Sequence, residues 1–230
     1  MIEFQGYQSS KDNPYHHKLG NYSHFVLREE EAEQHPGKWN EMIFQKVAPI
    51  AAEIGIGYGD FMLHFCQQYP NSHFVGMDIR FKRSFGVATH LNNLPNKNFK
   101  LLRAAAERLP HIFGVKEIDQ LFYFFPDPWP KARHRKRRLF KKDYLVSLHS
   151  ILKDTGNIYF KTDHDELFQW IIKEVEQSNC WTMKFISHDL YKEINPEIAA
   201  PLFSFQTKFE KIFLKQQIKI KAFILEKKFF

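Results

Sequence analysis

Cysteine is nearly absent from this chain. Cys66 and Cys180 are the only two, they lie far apart, and neither belongs to a metal-spaced cluster, so no disulfide or zinc framework is required. Cys66 falls within an apolar helical pattern and reads as core. Such cysteine usage fits a reducing cytoplasm. Long apolar runs are also lacking: none reaches about 18 residues, so no membrane span is expected. The opening Met1-Ile2-Glu3-Phe4-Gln5-Gly6 has neither a basic region nor an apolar one and does not read as a signal peptide. Internal repeats and low-complexity tracts are missing. His16-His17 and His35 have no acid or Cys partner at ligand spacing, so they read as solvated polar residues and no metal is expected.

Aromatic residues, by contrast, abound. The chain has 230 residues, 43 % of them hydrophobic, with 24 Phe, enough for one large domain with an unusually aromatic core. Its formal charge of +7 is local: eight Lys/Arg and no acid fall between Lys131 and Lys142, and the remainder of the chain is close to neutral. A confined positive patch is the footprint of a polyanion-binding surface.

Residues 1–36 are polar, include the acidic run Glu29-Glu30-Glu31-Ala32-Glu33, and read as a partly disordered extension ahead of a domain over 37–230. Strand and helix signals then alternate. Strands are predicted at Ile50–Ile56, His73–Ile79, Phe99–Leu102, Gln120–Phe125 and Asn157–Thr162. Helices are predicted at Phe61–Tyr69, Phe81–Leu91, Ala104–Phe113, Lys142–Leu152 and Asp165–Ser178. Two late strands follow, at Thr182–Ser187 and Gln217–Glu226. The link Leu190–Phe213, with Pro196 and Pro201, reads as a loop or functional insertion. The alternation predicts an α/β fold with a doubly wound, mostly parallel sheet.

The first strand ends in Glu53-Ile54-Gly55-Ile56-Gly57-Tyr58-Gly59. Glycines here permit a sharp turn and a close approach of backbone to ligand. The spacing departs from that of dinucleotide folds, and Asp60 places a carboxylate where a pyrophosphate prefers free amides, which argues against a nicotinamide dehydrogenase. Asp78, ending the second strand, is suited to accept both hydroxyls of a ribose. Glu53, Asp78, Asp127 and Asp163 all lie at or near strand carboxyl ends, where open parallel sheets bind ligands. A ribose acid without a phosphate site points to an adenosyl ligand such as S-adenosylmethionine, whose cationic sulfur tolerates nearby acids such as Glu53 and Asp127.

Asp127 is held between Pro126 and Pro128, and the basic segment follows at once. That position favours nucleic acid over a merely solvated face, with Arg133, Arg135, Lys136, Arg137 and Arg138 as the phosphate-contacting patch. Trp129 either stacks on a base or wedges the loop. His134 and His164 read as structural or RNA-contacting.

The string Phe125-Pro126-Asp127-Pro128-Trp129-Pro130-Lys131-x-Arg133-His134-x-Lys136-Arg137-Arg138 resembles the signature of the bacterial tRNA (guanine-N7-)-methyltransferase (TrmB) family. Gly37-Lys38-Trp39, Glu53-Ile54-Gly55, Thr162-Asp163 and Thr207-Lys208-Phe209-Glu210 extend the likeness over about residues 35–226. The resemblance implies a seven-stranded class I methyltransferase fold with an antiparallel last strand. It also implies S-adenosylmethionine as methyl donor and guanine 46 of the tRNA variable loop as acceptor. It assigns the donor to Glu53, Gly55, Gly57, Asp78, Ala104 and Asp127, with Asp127 also catalytic. It assigns the substrate to Lys131, Asp163, Thr207, Lys208, Phe209 and Glu210. A soluble monomer or homodimer acting on tRNA, without metal or membrane, is the expected state.

Ala104 stands where the family usually has an acid that meets the adenine amino group. One such hydrogen bond is worth roughly 0.5–1.5 kcal/mol, so its loss weakens donor binding without abolishing it. It does motivate the alternative of a catalytically weak or inactive RNA-binding protein of the same fold. Methylation of a protein or small molecule leaves the basic segment without a use. Attack by guanine N7 needs no prior deprotonation, so no Ser/His/Asp relay is expected, and either Asp127 or Asp163 is placed to orient the base.

Overall fold

The computed structural model describes residues 13–193 and 195–229. Their elements in chain order are α1 (Pro14–Gly20), β1 (Val26–Arg28), β2 (Ile50–Ile54), α2 (Asp60–Gln68), β3 (His73–Met77), α3 (Phe81–Leu91), β4 (Phe99–Arg103) and α4 (Leu109–Ile112). There follow β5 (Ile118–Phe124), α5 (Lys142–Ile151), β6 (Leu152–Thr162), α6 (Asp165–Ser178), β7 (Trp181–Ser187), α7 (Pro196–Phe203), α8 (Lys208–Lys215) and β8 (Lys221–Lys227). Eight strands make one sheet in the order β1-β4-β3-β2-β5-β6-β8-β7. β8 runs antiparallel to both β6 and β7, and the other neighbours are parallel.

The central strands are mostly apolar because both faces of a parallel sheet are covered. All five residues of β2 and all five of β3 are buried. Successive residues feed opposite layers. Ala52, Ile54, Leu121 and Phe160 pack into one, and Ala51, Phe74, Phe122 and Phe124 into the other. The second layer holds much of the aromatic excess: Phe61 meets Phe122 at 4.8 Å and Phe124 at 5.1 Å between ring centroids, in edge-to-face geometry. α6 starts where His164 accepts a hydrogen bond from the Leu167 amide, with Asp165 and Glu166 in its first turn. It stops at Asn179 in the left-handed region.

Three expectations need correcting. The sheet has eight strands rather than seven, because Val26–Arg28 pairs in parallel with Leu101–Arg103 at the edge. Three residues are too few to display a period, so this strand is hidden in a polar stretch. Around it residues 13–36 of the segment expected as an extension are tied down. Phe25, Val26 and Ala32 are buried, and the acidic run is neutralised by Glu29 pairing with Arg103 and Glu33 with Arg108. Residues 1–12 of that segment lie outside the described residues. The link expected as a loop instead contains α7 and α8. Pro196 opens α7, a position where its missing N–H costs nothing, and Thr207 begins α8 with a reciprocal cap to Glu210.

Strand order reverses between β3-β2 and β5-β6, with β2 paired to β3 on one side and to β5 on the other. The crevice outside the carboxyl ends of strands at such a switch point is where ligands of open α/β sheets bind.

Candidate active site

The turn after β2 fixes the floor of that crevice. The Gly55 and Ile56 amides donate to the Met77 carbonyl at 2.9 and 3.1 Å, pinning the loop to the end of β3. Gly55 sits at φ +73° with nothing within 4 Å of where a Cβ would project, so it presents bare backbone to the cleft. Gly59, at φ +79°, has the Val87 side chain 2.7 Å from that point and closes the loop against α3.

Two adjoining lobes open above this turn. The first is lined by Glu53, Gly57, Tyr58, Asp60, Asp163 and the start of α8 at Thr207, Lys208 and Phe209. The second is lined by Asp78, Ala104, Glu107, Tyr123, Trp129 and Arg137. Gly55, Arg80, Phe125, Pro126 and Asp127 border both. Asp78 and Asp127 therefore face one continuous cleft.

Glu53 is buried at the base of the first lobe, and its Oε2 has no hydrogen-bond partner among the described residues. Burial pushes its pKa up to about 8; Asp60 adds to this, Lys161 opposes it, and Asp78 raises it further. A protonated carboxyl without a partner is poised to ionise when a cation is brought beside it. Asp78 is also buried. Its Oδ1 accepts from the Arg80 amide at 2.8 Å and Nε at 3.1 Å, and its Oδ2 from Arg80 Nη2 at 3.0 Å. The Arg80 side chain is 58 % exposed, so this pair lies at the solvent edge of the cleft.

Asp127 is exposed at the crest of its loop, between Phe125 at φ +51° and Trp129 at φ +44°. Left-handed backbone at such residues stores about 1–3 kcal/mol each and persists only where the surroundings enforce it. The enforcing contacts are present. The Phe125 amide donates to the Lys161 carbonyl at 2.8 Å. Arg138 donates from Nε to the Pro128 carbonyl at 3.0 Å and from Nη2 to that of Trp129 at 3.4 Å.

Arg138 is thereby removed from the expected tRNA patch. Its side chain is buried, braces the loop, pairs with Glu166 at 3.0 Å and lies over Trp170. Arg133, Arg135, Lys136 and Arg137 are exposed on the 3-10 segment Ala132–Arg137, with Arg135 held by Glu166 at 2.8 Å. Lys131 is exposed but lines neither lobe.

Glu210 also departs from expectation. Expected to touch substrate, it is buried and accepts from Lys161 Nζ and from the Tyr191 hydroxyl, both at 2.7 Å. Its carboxylate points into the core because a buried ammonium requires it there. Thr207, Lys208 and Phe209 do reach the first lobe, anchored by that ion pair. Gly37-Lys38-Trp39 serves packing: the Gly37 and Trp39 amides donate to Glu117, and the buried indole donates to the Ile112 carbonyl at 2.8 Å. Sequence reasoning missed Arg80, Arg83, Glu107, Tyr58 and Lys161. An arginine two residues after Asp78 was the available signal for the first.

The family described as "putative methyltransferase" matches residues 47–223. A tRNA (guanine-N(7)-)-methyltransferase of Staphylococcus epidermidis is 36 % identical over 78 % of this chain and 88 % of its own length. The chain belongs to the tRNA (guanine-N7-)-methyltransferase family. A bifunctional glycosyltransferase/methyltransferase of Fusobacterium nucleatum is 30 % identical over 92 % of this chain, which spans only 32 % of that protein. Among solved structures, a 16S rRNA methyltransferase superposes with a TM-score of 0.60 at 14 % identity, covering 85 % of this chain and 95 % of that one, and shares the fold. Methyltransferases of this family use S-adenosylmethionine, and the cleft fits such a donor. It offers a ribose-type acid in Asp78, an orphaned buried carboxyl oxygen in Glu53 for a cation and bare backbone at Gly55, and the acid Asp60 in the first turn of α2 disfavours a pyrophosphate there.

Proposed function

We propose that this protein transfers a methyl group from S-adenosylmethionine to N7 of guanine in tRNA, at position 46 of the variable loop, acting in the cytoplasm. The observation that carries this reading is the placement of Asp127: it borders both lobes of the cleft, and the exposed cations of 131–137 rise directly from its loop. When bound, the donor supplies an electrophilic methyl group on a cationic sulfur. Asp78 would accept the ribose hydroxyls, and Glu53 would supply the negative field at the base of the first lobe. Gly55 lets the donor lie against backbone.

Guanine N7 already carries a free lone pair, so no group needs to remove a proton before attack. The work of the site is to hold N7 in line with the methyl group at near-contact distance, where effective molarities are large. Asp127 orients the guanine N1–H and amino group and stabilises the positive charge that passes to the purine. Its rigid, strained loop keeps the carboxylate where that charge develops. Asp163, half-buried in the first lobe with its carbonyl accepting from Lys221 at 2.9 Å, supports the base from the other side. Ala104 leaves the adenine edge to contacts other than an acid at that position. Donor binding that saturates below millimolar concentration separates this reading from that of a binding-only protein.

Asp127→Ala is expected to lower kcat by about 100-fold or more while the tRNA Kd stays close to wild type. Normal turnover by this variant would reduce Asp127 to a loop support.

A further inference from the structure

Asp127 lies between two cation–aromatic pairs. On the second-lobe side, the Arg137 guanidinium stands 4.8 Å from the Trp129 ring, in the basic segment. On the first-lobe side, the Arg83 guanidinium stands 4.0 Å over the Tyr58 ring, with the Lys208 ammonium 4.4 Å from the same ring. Phe209 lies 5.9 Å from Tyr58 between centroids. Tyr58 is 43 % exposed and Phe209 41 %, large aromatic faces left open to solvent.

These four side chains arrive from three separate elements: the glycine turn, α3 and the start of α8. Their convergence is a product of tertiary structure rather than of spacing along one helix. Arg83 and Lys208 have no carboxylate partner among the described residues; both cations stand over the Tyr58 ring and lower the pKa of its phenol. Two cations without acids beside two open aromatic rings match a nucleotide in both its parts. The rings stack on a base, and the cations neutralise its phosphate.

We infer that Tyr58, Arg83, Lys208 and Phe209 form a second RNA contact, which holds a nucleotide flanking the target guanine. The strand then crosses Asp127 from the 131–137 segment to this rim and is gripped on both sides of the reacting base. The inference rests on the RNA-substrate reading above and adds Tyr58 and Arg83 to it. The resemblance assigned neither.

The test uses the full-length protein with Arg83→Ala, Arg83→Glu and Arg83→Lys. Binding of unmodified tRNA is measured over a salt series, and binding of S-adenosylmethionine by calorimetry. Loss of one phosphate contact flattens the salt slope by about one in Arg83→Ala, and charge reversal in Arg83→Glu weakens tRNA binding about tenfold or more. Arg83→Lys recovers most of the affinity, and donor affinity stays within about twofold throughout. Unchanged affinity and slope in Arg83→Glu, with the wild type binding tRNA normally, would overturn the rim alone. Weakened donor binding with unchanged tRNA binding would also overturn it, because the cations would then serve the donor's carboxylate. A wild type without salt-dependent tRNA binding would overturn the parent reading and the rim together.

Discussion

Burial keeps the Glu53 carboxyl protonated until about pH 8, whereas in the unfolded chain it ionises near the ordinary 4.5. Between those values the folded chain holds a proton that the unfolded chain has released, so stability falls as pH rises through that window. The stabilising state is the neutral one, while a cationic donor requires the ionised one. Glu53→Gln removes the titration. The variant is expected to melt close to wild type near pH 5, to melt higher than wild type at pH 8.5, and to bind the donor more weakly. Parallel melting curves across that range would show that Glu53 does not titrate between its folded and unfolded values. Asp78 and Asp127 differ from Glu53 in kind. Asp78 is buried and accepts three hydrogen bonds from Arg80, and Asp127 is exposed on a loop whose conformation is enforced by Arg138 and the β6 backbone. All three acids were legible in the sequence because strand ends are legible. Which of the basic residues turned inward was not. A run of cations reads as one surface, and only the fold shows that Arg138 is needed to satisfy the carbonyls of Pro128 and Trp129.

At the scale of elements, the segment joining β7 to β8 depends on a charge buried within β6. Lys161 is buried, and its Nζ donates to the carbonyls of Leu202 and Phe205, both at 3.1 Å, and to Glu210. Those contacts dock the end of α7 and the start of α8 onto the sheet, and with them Thr207, Lys208 and Phe209 at the cleft. Burial lowers the Lys161 pKa and the Glu210 carboxylate works against that shift. Removing one partner of a buried pair leaves an uncompensated charge, at a cost of about 3–5 kcal/mol. Lys161→Met is therefore expected to lower stability to urea by about that amount and to raise KM for tRNA, with Lys161→Met/Glu210→Gln recovering much of the stability. A single variant as stable as wild type would remove the pair from this role. Here the sequence misled for a physical reason. Pro196 and Pro201 suggested a loop, yet Pro196 only opens a helix, and Glu210 sits in a string that resembles a substrate-binding motif while its carboxylate caps α8 and holds Lys161. Helices with a strong period and clear ends fared better: α3 and α6 have the bounds that their apolar spacing predicts.

Over the whole molecule, the sheet order and the charge distribution meet at one place. The reversal between β2 and β5 opens the cleft, the acids gather within it, and the cations stand at its rim on both sides of Asp127. The alternation of strands and helices made the parallel sheet readable, and the family resemblance supplied the antiparallel last strand. The eighth strand was unreadable, because a three-residue edge held by buried acid–arginine pairs has no periodic signature. None of the helices among the described residues is long and apolar enough to cross a membrane. The most direct test of the account is incubation of the wild-type chain with unmodified tRNA and methyl-labelled S-adenosylmethionine, followed by digestion and nucleoside analysis. The account predicts label in 7-methylguanosine from the variable loop. Label in another nucleoside, or none despite saturable binding of both ligands, would contradict it.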